Sequence, residues 1–265
     1  MPLLDMHPHR LAACGMAVSL SIGLSPTSFA VCDAYSGSKT TALVELYTSE
    51  GCSSCPPADK QLSGLRQALD PSAEAVPLAL HVDYWDYIGW KDPYAQSAFS
   101  ERQGWLVRAN RQKTVYTPQF FVNGAELRSW QGRLREQVRQ LNTMPATATI
   151  RVKASTAENG ALVLNAEASG PAAIRSTALY LAITENSLVS KVTNGENGGA
   201  TLSHDSVVRA WIGPIQMRGG AARVRREITL PGHWNRANLN VVAFVQDERS
   251  GSVLQALSAP HCAAS

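Results

Sequence analysis

Net charge is nearly absent from this chain. It carries a formal +3 over 265 residues, too little to draw a polyanion, which argues against nucleic acid as a partner. Long apolar runs are missing too. The one candidate, Leu11 to Leu24, has 14 residues, short of the roughly 18–20 that cross a bilayer. An integral membrane protein is therefore not expected. Metal-cage motifs are also scarce. There is one Cys-x-x-Cys, no second, and no His-x-x-x-His, so a zinc finger is excluded. His204 beside Asp205 has no activated-serine pattern to complete a triad. With 45% hydrophobic and 17% charged residues, disorder is excluded and a real core is expected.

What is present begins with a leader. Residues 1–30 read as a secretory signal peptide: His7, His9 and Arg10, then the charge-free run, then Ser28-Phe29-Ala30 before Val31. The competing reading is an N-terminal anchor. Export, to a bacterial periplasm or the medium, places the chain where disulfides persist. Cleavage removes Cys14 and leaves Cys32, Cys52, Cys55 and Cys262. Cys52 and Cys55 are three apart and form one candidate disulfide. Cys32 and Cys262 are the others, and an exported protein seldom leaves thiols idle, so Cys32–Cys262 is expected to be bonded.

The periodicity changes near residue 145. From 41 to 143 strand and helix alternate as β-α-β-α-β-β-α. Ala42 to Tyr47 reads as a strand. A helix follows with Ala58, Leu62, Leu65 and Leu69 on one face, and then a strand at 76–82. Asp92-Pro93 reads as the cap and first turn of the next helix. Phe120 to Val122, Asn123-Gly124 and Ala125 to Leu127 read as a hairpin. Ser129 caps the last helix. Beyond Pro145 the period is two, giving about eight short strands and an all-β, sandwich-like domain. The expected organisation is signal peptide 1–30, an α/β domain 31–144 and a β-sandwich domain 145–265.

The chemical signal is Cys52-Ser53-Ser54-Cys55. It follows a strand and precedes a helix, where N–H groups at the helix start lower a thiol pKa. Cys52 is the expected nucleophile and Cys55 the resolving thiol. Pro56 and Pro57 fit a first helical turn but push Cys55 away from helical angles. A second marker is Tyr116-Thr117-Pro118 leading into the Phe120-Phe121-Val122 strand. Together these pieces resemble a thioredoxin-like domain. That likeness implies a cis Thr117-Pro118 bond facing the CxxC, with neighbouring backbone able to pair with a peptide.

Three longer stretches resemble the secreted family catalogued as domain of unknown function 1223. They are VELYTSEGCSSCPPAD (44–59), LALHVDYWDYIGWKDPYA (78–95) and TVYTPQFFVNG (114–124), with NGENGGATLSHDSVVR (194–209) a further match. The resemblance implies an exported bacterial protein with an α/β thioredoxin-like domain, here followed by an all-β sandwich-like domain. It brings no activity.

The expected chemistry is thiol–disulfide exchange with protein or small-molecule thiols and disulfides, without a cofactor. Residues expected to rim the site are Glu45, Glu50, His81, Asp83, Trp85 and Asp86. Glu45 precedes Cys52 by seven residues, one more than in ordinary thioredoxins, so its reach under the disulfide is open. Trp85 and Trp90 either face a ligand or bury against the second domain. A metal reading competes, in which His81, Asp83 and Asp86 join the two cysteines around copper or another metal. A third reading is a binding module led by the β-rich half. A fourth is a structural Cys52–Cys55 bond, although so short a loop stabilises little.

Overall fold

The computed structural model describes residues 31–260. Strand β1 (Val31–Tyr35) is followed by β2 (Ala42–Thr48), helices α1 (Pro56–Ser63) and α2 (Leu65–Ala68), and β3 (Ala75–His81). Helix α3 (Ser97–Ala109), strands β4 (Gln119–Val122) and β5 (Ala125–Glu126) and helix α4 (Trp130–Asn142) come next. Nine more strands complete it: β6 (Thr149–Thr156), β7 (Leu162–Ser169), β8 (Thr177–Glu185), β9 (Leu188–Lys191), β10 (Thr201–His204), β11 (Val207–Gln216), β12 (Ala221–Ile228), β13 (Leu239–Asp247) and β14 (Val253–Pro260).

Eight strands form one mixed sheet in the order β14-β13-β8-β11-β3-β2-β4-β5. Four form a second sheet, β1-β6-β7-β12, and β9 with β10 forms a separate two-stranded ribbon. Strands β2, β3 and β8 are buried along their whole length. They lie inside the large sheet with both faces covered, hence their continuous apolar runs. Strand β6 is buried at alternate residues, as suits a sheet with one covered face.

Three cores follow. One face of the large sheet carries Leu43, Tyr47, Leu78, Leu80, Tyr180 and Phe244 under Phe99 and Leu106 of α3. The other face packs Val44, Leu46 and Phe120 against Leu62, Leu65, Leu134 and Val138 of the remaining helices. The third lies between the β8-β13 region and the four-stranded sheet, with Ile150, Val152, Leu164, Leu181 and Val241.

The expected fold class, an α/β thioredoxin-like domain followed by an all-β sandwich-like domain, is overturned by this sheet. Strand dominates, and the large sheet takes strands from both halves of the chain. The join is parallel pairing of β11 with β3 at Val207 and Ala79, where Ala79 N–H donates to Ser206 O at 2.9 Å. The α3-side core likewise mixes residues 43–121 with residues 178–256. A strand buried on both faces reads the same whether its neighbour is close or distant in sequence, so periodicity alone separated what backbone hydrogen bonds unite.

Two local expectations also change. The helix expected over 58–69 is split at Gly64 into α1 and α2. Asp92 does not cap α3, which starts at Ser97 with Gln96 as its cap residue. The β4–β5 hairpin is as expected, with Asn123 at φ 47° and Gly124 at φ 82°, the left-handed pair of a tight two-residue loop. Gly124 is required on a second ground: a Cβ there would lie 1.8 Å from Gly251 O.

Candidate functional site

Strand β2 ends at Thr48, and the chain turns through Ser49-Glu50-Gly51 before the cysteines. Gly51 N–H donates to Ser49 Oγ at 3.0 Å. Cys52 N–H then donates to Ser49 O, and Cys55 N–H to Cys52 O at 3.1 Å. Cys52 and Cys55 are joined in a disulfide with Cα atoms 5.4 Å apart. Both are buried, at 1% and 0% exposure, while Ser53 and Ser54 between them face solvent.

Helix α1 starts one residue later than the motif. Cys55 is its N-cap and Pro56-Pro57 its first turn. Prolines have no N–H to offer, and the next two, of Ala58 and Asp59, donate to Cys55 O. Cys52 therefore lies outside the helix start that was expected to stabilise its thiolate. Its sulfur instead has Ser54 Oγ at 3.3 Å.

Beside the disulfide lies a buried cluster of charge. Period-two alternation sends Val44, Leu46 and Thr48 of β2, and Ala75, Ala79 and His81 of β3, to the face under α1. Asp59 of α1, one turn beyond Cys55, faces the same layer. His81 Nδ1 is 2.7 Å from Asp92 Oδ2. The same carboxylate oxygen accepts Glu50 N–H at 2.8 Å, and Oδ1 accepts Tyr94 N–H at 2.9 Å. Glu50 is clasped in turn. Its Oε2 accepts Trp90 Nε1–H at 2.9 Å, and its Oε1 lies 3.1 Å from His204 Nε2. The rings of His81 and His204 meet edge to face at 5.0 Å. Glu50, Asp59, His81, Asp92 and His204 are all buried.

These surroundings move their pKa values. Burial works against a charge on His81, but Asp92, with Asp59 and Glu50, outweighs it, and the pKa is raised. Burial likewise opposes ionisation of Asp92, but His81 and the N–H groups of Glu50 and Tyr94 lower its pKa. For Asp59 burial wins over the two histidines, and the pKa is raised. Burial thus works against a charge on Asp59. A cleft of about 370 Å³ opens between α1 and β10, lined by Asp59, Lys60 and His204 among others.

Two segments lean on the turn. The first is the aromatic-acidic stretch after β3. A side chain at Gly51 would meet Ile88 and Trp85 at 3.1 and 3.2 Å. Trp85 Nε1–H donates to Thr117 Oγ1 at 2.8 Å, which ties the stretch to the Thr117-Pro118 bond, itself cis. Asp86 Oδ1 accepts Asp92 N–H, and Asp83 accepts from Ser100. The second is the connection between β9 and β10. Glu196 Oε2 accepts Ser53 N–H at 2.9 Å. Asn197 Nδ2 donates to Glu50 O at 2.8 Å and to Cys52 O at 3.0 Å.

The expected rim residues therefore divide. Glu50, His81, Trp85 and Asp86 gather around the CSSC turn. Glu45 does not: alternation places it on the opposite, α3 face. There Arg102 Nε donates to its Oε1 at 2.7 Å, Tyr47 OH donates to the same atom, and the guanidinium lies 4.7 Å from the Trp211 ring. Among the described residues no group of three or more His, Cys, Asp or Glu side chains is arranged to hold a metal, and no helix is long and apolar enough to cross a membrane. Cys32 is disulfide-bonded. Cys262, its expected partner, and the expected signal peptide 1–30 lie outside the described residues. Sequence reasoning missed Asp59, Asp92, Glu196 and Asn197. The spacing of Asp59 to Cys55, one helical turn, was one signal available; Asp92, Glu196 and Asn197 lie within the matched stretches 78–95 and 194–209.

The profile of a family described as "Protein of unknown function (DUF1223)" matches residues 43–246. A crystal structure of a protein from Agrobacterium tumefaciens is similar at 24% identity and a TM-score of 0.61, over 84% of this chain and 96% of that one. HBP35 of Porphyromonas gingivalis is similar at 18% identity and a TM-score of 0.63, over 85% of this chain and 76% of that one. At these identities the two structures speak to the fold alone. No curated protein matches the chain.

Proposed function

The chain belongs to the DUF1223 family, whose function is unknown, and from that premise we propose that it is an exported protein exchanging thiols and disulfides through Cys52 and Cys55. The observation that carries this reading is the Cys52–Cys55 disulfide on the β2–α1 turn, with the buried carboxyl of Asp59, its pKa raised by burial, one helical turn beyond Cys55. The leader-like residues 1–30 support export.

The exchange runs in two steps. A substrate thiolate attacks Cys52 Sγ; its bond to Cys52 forms as the Cys52–Cys55 bond breaks, and Cys55 leaves as a thiolate. A second substrate thiolate then attacks the mixed disulfide, releasing an oxidised substrate and the Cys52 thiolate. Two substrate thiols are oxidised, the pair is reduced, and two protons pass to the cysteines. Ser54 Oγ supports negative charge at Cys52. Asp59, whose pKa burial raises, is the carboxyl of α1 one turn beyond Cys55 and the candidate to exchange the proton of Cys55. The reverse sequence reduces a substrate disulfide.

The test is trapping. Cys55→Ser protein, exposed to disulfide-bearing envelope proteins, is expected to form mixed disulfides at Cys52, seen as reductant-sensitive adducts. The Cys52→Ser/Cys55→Ser chain is expected to form none. Absence of adducts from a folded Cys55→Ser protein would overturn the reading.

A further inference from the structure

We propose that the β9–β10 ribbon and its connection, residues 188–204, form a hinged strap that closes over the Cys52–Cys55 turn and must open before the disulfide can react. The inference rests on the exchange reading and adds its regulation.

Three independent features point the same way. The first is burial. A disulfide that exchanges needs a thiolate in line with its sulfurs, yet Cys52 is 1% exposed and Cys55 0%. The described state is therefore closed to an attacking group of any size. The second is how the strap is held. Its tip touches the turn through three hydrogen bonds, all to the main chain around the cysteines: Glu196 to Ser53 N–H, and Asn197 to the carbonyls of Glu50 and Cys52. Main-chain clasping of this kind reads the shape of the turn and not its side chains. Glu196 itself is exposed, so its bond is in competition with water and can be given up at small cost.

The third feature is the strap's construction. β9 and β10 pair only with each other and belong to neither large sheet. The ribbon leaves and rejoins the large sheet at Ser187 and Ser206, two of only four non-glycine residues with positive φ among those described, at 58° and 56°. Each is braced by an Asx-type bond across the base: Ser187 N–H donates to Asp205 Oδ1 and Ser206 N–H to Asn186 Oδ1. The two bends face each other and define a hinge line. At the tip, Gly195 and Gly199 have positive φ, and a Cβ on Gly195 would meet Ile88 at 3.0 Å. The tip therefore rests on the aromatic stretch that covers Gly51 from the other side. His204, at the base of the ribbon, meets Glu50 and keeps the closed position in register with the charged cluster.

Opening breaks the three tip bonds and, at the base, the Ser190–Tyr94 and His204–Glu50 contacts, without disturbing a large sheet. Loosening the tip should therefore raise the open fraction and speed reduction of the disulfide. Each lost bond is worth roughly a factor of two to ten.

The experiment uses the full mature chain, oxidised, with the phosphine TCEP as reductant and the Cys52 and Cys55 thiols read by alkylation and mass spectrometry. Asn197→Ala, and Glu196→Ala with Asn197→Ala, are expected to be reduced about 5-fold and about 10- to 50-fold faster than the unaltered chain. Glu196→Gln, which keeps an acceptor for Ser53 N–H, is expected to fall near the unaltered rate. Both residues lie near the surface, and unchanged hydrogen exchange in β8 and β13 verifies the fold. Equal reduction rates in all four proteins, with folds intact, would overturn the strap while leaving the exchange reading in place. Faster reduction in the double variant, without mixed disulfides to any substrate in its Cys55→Ser form, would uphold the strap and remove the exchange reading.

Discussion

Asp92→Asn probes the buried cluster most sharply. Both carboxylate oxygens of Asp92 face donors: Oδ2 meets Glu50 N–H and His81 Nδ1, and Oδ1 meets Tyr94 N–H. An amide turns one of those acceptors into a donor, so a buried N–H loses its partner, at about 1–3 kcal/mol. The change also leaves a protonated His81 uncompensated in the interior, and breaking a buried pair costs about 3–5 kcal/mol in all. The pH dependence follows from the shifts. His81 has its pKa raised from 6.5, so its contribution is complete below that value and fades as pH rises through the higher folded one. Asp92 has its pKa lowered from 3.8, so its contribution is present above that value and is lost as pH falls through the lower folded one. Near pH 5.5 both are engaged. Guanidinium unfolding of oxidised protein should thus show a loss of about 3–5 kcal/mol near pH 5.5. Above the raised folded pKa of His81, where a neutral ring can accept from the amide, the loss should shrink to about 1–2 kcal/mol. A loss below about 1 kcal/mol at both pH values, or one that grows with pH, would refute the reasoning.

Two further substitutions test other parts of the account. Glu45→Ala strands the buried Arg102 guanidinium and should cost about 3–5 kcal/mol in unfolding. Because Glu45 lies across the sheet from α1, the phosphine reduction rate of Cys52–Cys55 in the folded variant should not change; a large change would place Glu45 at the site after all. Gly124→Ala forces a Cβ to 1.8 Å from Gly251 O at φ 82°, so a loss above about 2 kcal/mol is expected. Gly132→Ala, on the open face of α4 with nothing within 4 Å, should instead stabilise by about 0.5–1 kcal/mol. Comparable thermal unfolding of the two variants would contradict the packing described around the hairpin.

What could be read from sequence was local. The CSSC turn, the Asn123-Gly124 hairpin and α4 after Ser129 depend on neighbours a few residues away. The sheet that joins the two halves does not. It depends on β11 meeting β3 across more than a hundred residues, and Leu78-Ala79-Leu80 carries no mark of which strand will lie beside it. The charged cluster was hidden in part for the same reason. Glu50 and His81 were legible as site residues, but His204 joins them from more than a hundred residues away and looks ordinary in its own segment. Asp92 was misleading, since Asp-Pro fits a helix start, but its carboxylate is used by Glu50, His81 and Tyr94. Glu196 and Asn197 sit in a glycine-rich connection that reads first as a turn.

The measurement closest to the central claim is the reduction potential of the Cys52–Cys55 pair in the full chain, set by equilibration with dithiothreitol and glutathione buffers and read by differential alkylation. A pair that exchanges with cellular thiols should titrate reversibly above about −300 mV, with Cys52 alkylated faster than Cys55 once reduced. A pair that stays oxidised until well below about −300 mV, even in the Glu196→Ala/Asn197→Ala chain, would be a structural disulfide and would contradict the account.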